Sequence, residues 1–209
     1  MQVSTIMVLD ALLQWSTMTV TREHIAQTLG RYLDQHPGER PGLAPLAAVL
    51  GGGTDLSSRS NLPGHVTCSA AVIDDAGRVL MIRHKILGQW LLPGGHLEVS
   101  DSSLLAGALR ELEEETGIGW QQAVSPLSTD LGPVDVDLHV IPASPGKDEP
   151  AHWHADFRYA FKVESPQIRL QLDEVSDYAW RSPSELPTPR LVTRLGDGKS
   201  DRRAEAERR

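Results

Sequence analysis

Apolar residues recur at helical spacing through one stretch of the chain. Leu105, Leu109, Leu112 and Thr116 line a single face, and the run stops at Gly117. This predicts a helix over residues 102–115, entered through Pro93-Gly94-Gly95, which reads as a turn. Upstream, Thr21 precedes a stripe of Ile25, Leu29 and Leu33, the pattern of an N-capped helix that His36-Pro37-Gly38 would end. A second short helix is expected over residues 43–50, stopped by Gly51-Gly52-Gly53. Two helices of this size are marginal alone, so the pair should dock on the main domain or on a partner subunit. Residues 1–18 have no clear period and fit either a short helix over residues 8–15 or an unstructured leader. Residues 54–65 read as a linker.

Strand patterns fill much of the remainder. Residues 66–73 form an apolar run, Asp74-Asp75-Ala76-Gly77 a turn, and residues 78–84 an alternating return strand. Further strands are expected over residues 134–141, 154–163 and 175–180, with a closing helix over residues 182–195. Strands before and after one helix, without a strict βαβ rhythm, place the chain in the α+β class with a mixed sheet. The expected division is a helical extension and linker (residues 1–62), a main domain (63–195) and a charged, disordered tail (196–209).

The composition narrows the partners. The chain has 209 residues, enough for one sizeable core with an appendage. Its formal charge of −8 argues against broad attraction to nucleic acid or to an anionic membrane surface. The helix pair is likewise not basic, which disfavours a DNA-reading module. Cys68 is the only cysteine, so no intrachain disulfide forms, as expected of a reducing compartment. The first residues lack the basic start of a signal peptide and are too short to span a bilayer. These features together predict a cytoplasmic protein.

The chemistry concentrates on the predicted carboxylate helix. Glu111, Glu114 and Glu115 stand at i, i+3 and i+4 and share a face apart from the apolar one. Like charges at that spacing repel by a few tenths of a kcal/mol per pair, roughly, so a hard divalent cation is the natural neutraliser. Arg110 is placed to bridge Glu114 at i+4 on the surface. Asp101 fits a helix N-cap. Elsewhere, His152, His154 and Asp156 alternate along one strand and face one way, compatible with a substrate cleft, a transition-metal site or solvent. His139 has the same range of readings. Arg83 at a strand end and Glu149 in a loop are candidate substrate contacts, and Asp148 and Glu174 are further candidate bases. Trp90, Trp153, Tyr159 and Trp180 are candidates for stacking on a base.

Residues 94–118 resemble the Nudix hydrolase signature, G-x5-E-x7-R-E-U-x-E-E-x-G-U, where U is apolar. Arg110-Glu111-Leu112-Glu113-Glu114-Glu115-Thr116-Gly117-Ile118 matches its second half in full. The first half departs twice: Asp101 stands at the acid position counted from Gly95, and eight residues, one more than the pattern, separate it from Arg110. The resemblance implies a mixed sheet packed between helices, an α/β/α sandwich, with the small N-terminal helical extension added. It implies a Mg²⁺- or Mn²⁺-dependent pyrophosphohydrolase acting by water attack on phosphorus. Glu111, Glu114, Glu115 and the Gly95 carbonyl would ligate metal, Glu111 and Arg110 would serve catalysis with Arg110 orienting the glutamates from behind, and Asp101 would make a weak metal or water contact. The expected partner is a phosphorylated small molecule, such as a nucleoside triphosphate or nucleoside diphosphate derivative, and a homodimer is the default assembly. Two rivals are a nucleotide sensor without turnover and an isoprenoid isomerase, though the residues around Cys68 do not resemble the latter.

Overall fold

The structure is a computed structural model and describes residues 19–126, 131–144, 149–164, 166–186 and 188–195. The first eighteen residues and the charged tail, about which expectations were stated above, lie outside the described residues, as does Asp148.

Two helices open the described chain. Helix α1 (Arg22–Gln35) is capped by Thr21, whose hydroxyl accepts from the His24 N–H at 3.2 Å. Helix α2 (Arg40–Gly51) starts three residues earlier than its apolar pattern, because a 3-10 turn over Pro37–Glu39 leads straight into it. Their apolar faces, including Ile25, Leu29, Leu43, Leu46 and Leu50, belong to the same buried cluster as the sheet and the carboxylate helix. Each such side chain fully removed from water contributes about 1.5–3 kcal/mol, which is how two marginal helices become ordered. The presumed linker takes part: Leu56 is fully buried, and its carbonyl accepts from the Val66 N–H at 2.9 Å.

The sheet is mixed and has eight strands: β1 (Gly64–Ile73), β2 (Val79–His84), β3 (Trp90–Leu91), β4 (Gly94–His96), β5 (Ala123–Pro126), β6 (Asp135–Ile141), β7 (His152–Val163) and β8 (Val175–Arg181). Its centre is the parallel pair β1–β7, in register from Gly64↔Trp153 to Ile73↔Lys162. The other pairings are antiparallel. Strands β6 and β5 share the far edge of β7, while β4 and β2 share the far edge of β1; β3 and β8 flank β2.

The two faces of the central pair differ. On one, Val66, Cys68, Ala70 and Val72 of β1 and Ala155, Phe157, Tyr159 and Phe161 of β7 pack in the large core with helix α3 (Leu104–Thr116). On the other, the alternating positions change character partway along. Ala71, Ile73 and Ala160 join Leu186, Leu191 and Leu195 in a smaller core beneath a helix over residues 189–195. The remaining positions, His65, Thr67 and Ser69 on β1 and His152, His154, Asp156 and Arg158 on β7, form a polar band. The expected closing helix is split: only Pro183–Glu185 forms a 3-10 turn before residues 189–195 turn helical. Pro189 stands at the start of the second piece and cannot donate to a continuous helix.

Gly94-Gly95, expected as a turn, are strand residues: Gly94 pairs with Ser69 and Gly95 with Cys68. Their φ values are not left-handed; what they provide is absence of bulk. A Cβ on Gly94 would lie 2.5 Å from the Cys68 carbonyl oxygen and 2.7 Å from the Ser69 Cα, and one on Gly95 would lie 2.6 Å from Glu111 Oε1. Among the described residues no helix is long and apolar enough to cross a membrane.

A glycine substitution pair tests this packing. Gly94→Ala presses on backbone and should destabilise the protein by about 1–3 kcal/mol, the usual range for overpacking. Gly30, inside α1, has open space at its Cβ position, so Gly30→Ala should stabilise by about 1 kcal/mol. Thermal or urea denaturation of the two variants beside the wild type measures both; equal effects would show that β4 does not need this close approach.

Candidate active site

Helix α3 carries the carboxylates because both its ends are fixed. Ser103, not Asp101, is its N-cap, accepting from the Ala106 N–H at 3.0 Å, and Gly117 closes it in the left-handed region at φ 71°. Leu104, Leu105, Ala108, Leu109 and Leu112 bury the opposite face. That anchoring turns Glu111 and Glu115 toward β4, where the Gly94 N–H donates to Glu115 Oε2 at 2.8 Å.

Asp101 has a different task from capping. It is buried, and its carboxylate receives Arg110 side-on, Nε to Oδ1 at 2.9 Å and Nη2 to Oδ2 at 3.0 Å, with the Glu98 N–H adding a bond to Oδ2 at 2.8 Å. The same guanidinium donates through Nη1 to Glu111 at 3.1 Å and Glu114 at 2.9 Å, and through Nη2 to the His96 carbonyl at 2.9 Å. Arg110 therefore contacts both Glu114 and Glu111. The added element is Asp101, which fixes the fork in place. Gly107, one turn before Glu111, lets Asp101 in, since a Cβ there would sit 3.1 Å from Asp101 Oδ2.

The electrostatics of the glutamates are unequal. Glu114 is half-exposed. Glu111 is mostly buried, and desolvation pushes its pKa up to about 7 although Arg110 opposes the rise. Glu115, 4% exposed, is pushed up to about 8 by burial, against the Gly94 N–H that favours its charge. Among the described residues no Lys, Arg or His lies within ion-pair distance of Glu115. Glu174 adds its negative charge to the field at both Glu111 and Glu115, which puts that loop acid beside the cluster. Buried carboxylates converging with too little positive charge are the setting in which a hard cation with oxygen ligands fits.

The polar band lies on the sheet beside this cluster and is ordered in rows. Cross-strand partners share a face, so Ser69, Arg158 and Asp135 form one row and Thr67, Asp156 and Asp137 the next; His65, His154 and His139 form a third. Asp156 accepts from Ser69 Oγ at 2.9 Å, Thr67 Oγ1 at 3.2 Å and Arg158 Nε at 2.9 Å. Arg158 continues to Asp135 and Asp137, both at 3.0 Å. Asp135, fully buried, also meets Arg190 and Arg194, and Arg194 binds Tyr32 and Glu39, which ties the N-terminal helices to the C-terminal one. Asp156 is thus taken up in the internal network of the sheet.

The other candidates are dispersed. His152 and His154 meet at the start of β7, with Glu149 Oε1 at 3.8 Å from His152 Nε2. Arg83 is exposed on β2, in register with Trp90 and Asp177. Trp90 stacks under Arg181, and Tyr159 is in the large core. Cys68 is buried in that core, where desolvation raises its thiol well above the usual value, so it is no nucleophile at neutral pH. Sequence reasoning missed the anchoring by Asp101 and the parts played by His65 and His96. The available signal for His65 was a histidine at the mouth of an apolar strand.

A family model described as the NUDIX domain matches residues 63–201. A protein of Lactococcus lactis subsp. cremoris, named a probable DHNTP pyrophosphohydrolase, is 34% identical over 116 residues, 56% of this chain and 64% of that one. The phosphatase NudJ of Escherichia coli is 46% identical over 59 residues, 27% of this chain and 37% of its own. The chain thus spans less than two thirds of the length of these curated relatives. Among solved structures, an Ap4A hydrolase of C. elegans is 17% identical, with a TM-score of 0.49 over 67% of this chain and 98% of that one. The family match takes in the central parallel pair, the β4 approach and the whole of α3, and on that ground the chain belongs to the Nudix family.

Proposed function

We propose that this protein is a metal-dependent pyrophosphohydrolase that cleaves the phosphoanhydride linkage of a nucleoside triphosphate or nucleoside diphosphate derivative by water attack on phosphorus. The observation that carries the reading is Glu115. It is a buried carboxylate with a raised pKa and no cationic partner among the described residues, aimed with Glu111 at the Gly94-Gly95 strand. The name of one curated relative, a probable DHNTP pyrophosphohydrolase, supports the same bond class. A nucleotide sensor would have no use for such a costly arrangement. The lone unpaired cysteine fits a cytoplasmic setting.

Glu111, Glu114 and Glu115 would hold Mg²⁺ or Mn²⁺, with the Gly95 carbonyl as a further ligand. When bound, such an ion polarises phosphoryl oxygens, lowers the pKa of a coordinated water and steadies the leaving oxygen. The chain's own contribution is placement. Arg110, locked by Asp101, keeps Glu111 and Glu114 from splaying apart, and the Gly94 N–H fixes the rotamer of Glu115. Glu174, exposed and within electrostatic reach of both buried glutamates, and Glu111 itself are the candidates to take a proton from the attacking water. Arg83, His152, His154 and Glu149 remain candidates for the substrate side.

The test is a Mg²⁺-dependent screen over nucleotide sugars, ADP-ribose, dinucleoside polyphosphates and triphosphates. Product should form with at least one class; nucleotide binding without product from any of them would favour the sensor. For the active substrate, Glu111→Gln and Glu115→Gln should each lower turnover by at least about tenfold, the equivalent of about 1.4 kcal/mol. Unaltered rates in both would remove the metal assignment.

The pH dependence has a definite sign. A carboxylate whose folded pKa is raised stabilises the fold below its unfolded pKa, and that contribution is lost as pH rises through the folded value. For Glu111 and Glu115 the loss runs from about pH 4.5 to about 7 and 8. A cation competing with those protons restores it, so the Tm increment given by Mg²⁺ should grow between pH 6 and pH 8.5. In Glu115→Gln that growth should shrink, and an equal increment at both pH values would contradict the burial argument.

Arg110 acts through its anchor. Asp101→Asn should cost about 1.5–3 kcal/mol, the worth of a charge-assisted bond, and should lower kcat while leaving KM within a few-fold. Guanidinium chloride denaturation and steady-state kinetics measure the two effects.

A further inference from the structure

A second cluster stands apart from the glutamates. His65 of β1 and His152 and His154 of β7 place one ring nitrogen each within 4.8 Å of one another. The ring centroids are 4.6 Å apart for His65 and His154, 5.1 Å for His65 and His152, and 5.0 Å for His152 and His154. His96 and His139 stand against the same group, at 5.3 Å and 5.7 Å from His154. His65 and His152 are almost wholly buried, at 1% and 4% exposure.

The hydrogen bonds fix where the lone pairs point. A carbonyl can only accept, so His65 Nδ1, 3.3 Å from the Asn61 carbonyl, carries its proton there. His152 Nδ1 does the same toward the Pro150 carbonyl at 2.9 Å. A neutral imidazole has one N–H, so Nε2 of both rings is a bare lone pair. His65 Nε2 is buried and has no hydrogen-bond partner, an arrangement that natural interiors rarely tolerate. His152 Nε2 faces His154 Nε2 at 3.1 Å, where at most one proton can sit between two nitrogens. Ligating histidines typically donate their other N–H to a carbonyl or carboxylate, and two of these three already do.

We infer that His65, His152 and His154, with Glu149 as the carboxylate, form a binding site for a zinc-class transition metal that clamps β1 to the start of β7. Glu149 Oε1 lies 3.8 Å from His152 Nε2, and its backbone is held by a bridge to Ser144. Three imidazoles and a carboxylate are a tetrahedral zinc donor set, with metal–ligand distances of about 2.0–2.2 Å. Imidazole nitrogens suit Zn²⁺, Ni²⁺ or Cu²⁺, whereas Mg²⁺ takes oxygen ligands. The inference stands whether or not the carboxylate site hydrolyses pyrophosphate. The two sites nevertheless adjoin: the ring of His96 faces the histidines while its carbonyl receives Arg110.

The test loads the full chain with ZnCl₂, desalts it in excess MgCl₂ and measures bound zinc by atomic emission. The wild type should retain about one equivalent of zinc and gain thermal stability. Glu111→Gln and Glu115→Gln should retain it equally, whereas His65→Ala and His154→Ala should weaken zinc binding by at least about tenfold. Circular dichroism shows whether the histidine variants fold. If they do not, the wild type decides alone: Co²⁺ in place of Zn²⁺ should give the intense visible bands of a tetrahedral site with nitrogen ligands. Failure of the wild type to retain zinc, a six-coordinate Co²⁺ spectrum, or zinc lost in Glu115→Gln but kept in His65→Ala would each overturn the inference.

Discussion

The parallel pairing of β1 with β7 is the constraint on which the rest of this structure depends. Ten consecutive residues of each strand run in register, which fixes which side chains share a face. One face becomes a continuous apolar surface that helices α1, α2 and α3 cover. The other is apolar for only part of its length, and the C-terminal helix covers that part. What is left is a band of polar rows bounded by β4 on one side and β6 on the other. A slip of one residue would exchange the two faces, burying histidines and carboxylates in the main core.

The edges of the pair matter as much as its faces. Antiparallel β4 and β2 divide the far edge of β1 between them, and the glycines of β4 let α3 lie against it. The carboxylates thus face backbone and not bulky side chains. Arg110 adds a positive charge in front of Glu111 and none in front of Glu115. The helix is therefore well held mechanically and under-neutralised electrically. That combination suits a site whose remaining positive charge arrives with its ligand.

Charged networks elsewhere do the opposite. Around Asp135, Arg158, Arg190 and Arg194 satisfy the buried acids and carry the sheet's connection to both terminal helix groups. That network is supplied with several arginines, whereas Glu115 in the glutamate cluster has no cationic partner among the described residues. The histidines show a third case, in which ring nitrogens of His65, His152 and His154 converge across two strands.

Much of this was legible in the sequence because it depends on local spacing. The helical periods of Leu105 to Thr116, the Thr21 cap and the main strand runs depend on geometry within a few residues. The same holds for the shared face of Glu111, Glu114 and Glu115, and each of these expectations matches what formed. The short strands β3, β4 and β5 carry too few residues for a period to show, so Gly94-Gly95 looked like a turn. Nor could spacing reveal that Asp101 anchors Arg110 while Ser103 caps the helix, since two plausible caps lie two positions apart and only the packing of α3 on β4 chooses. The sequence alone thus determined most of the longer elements and the face bearing the carboxylates. Only the tertiary structure decided which buried acids went unneutralised and which histidines met, because those outcomes depend on strands far apart in the chain being laid side by side.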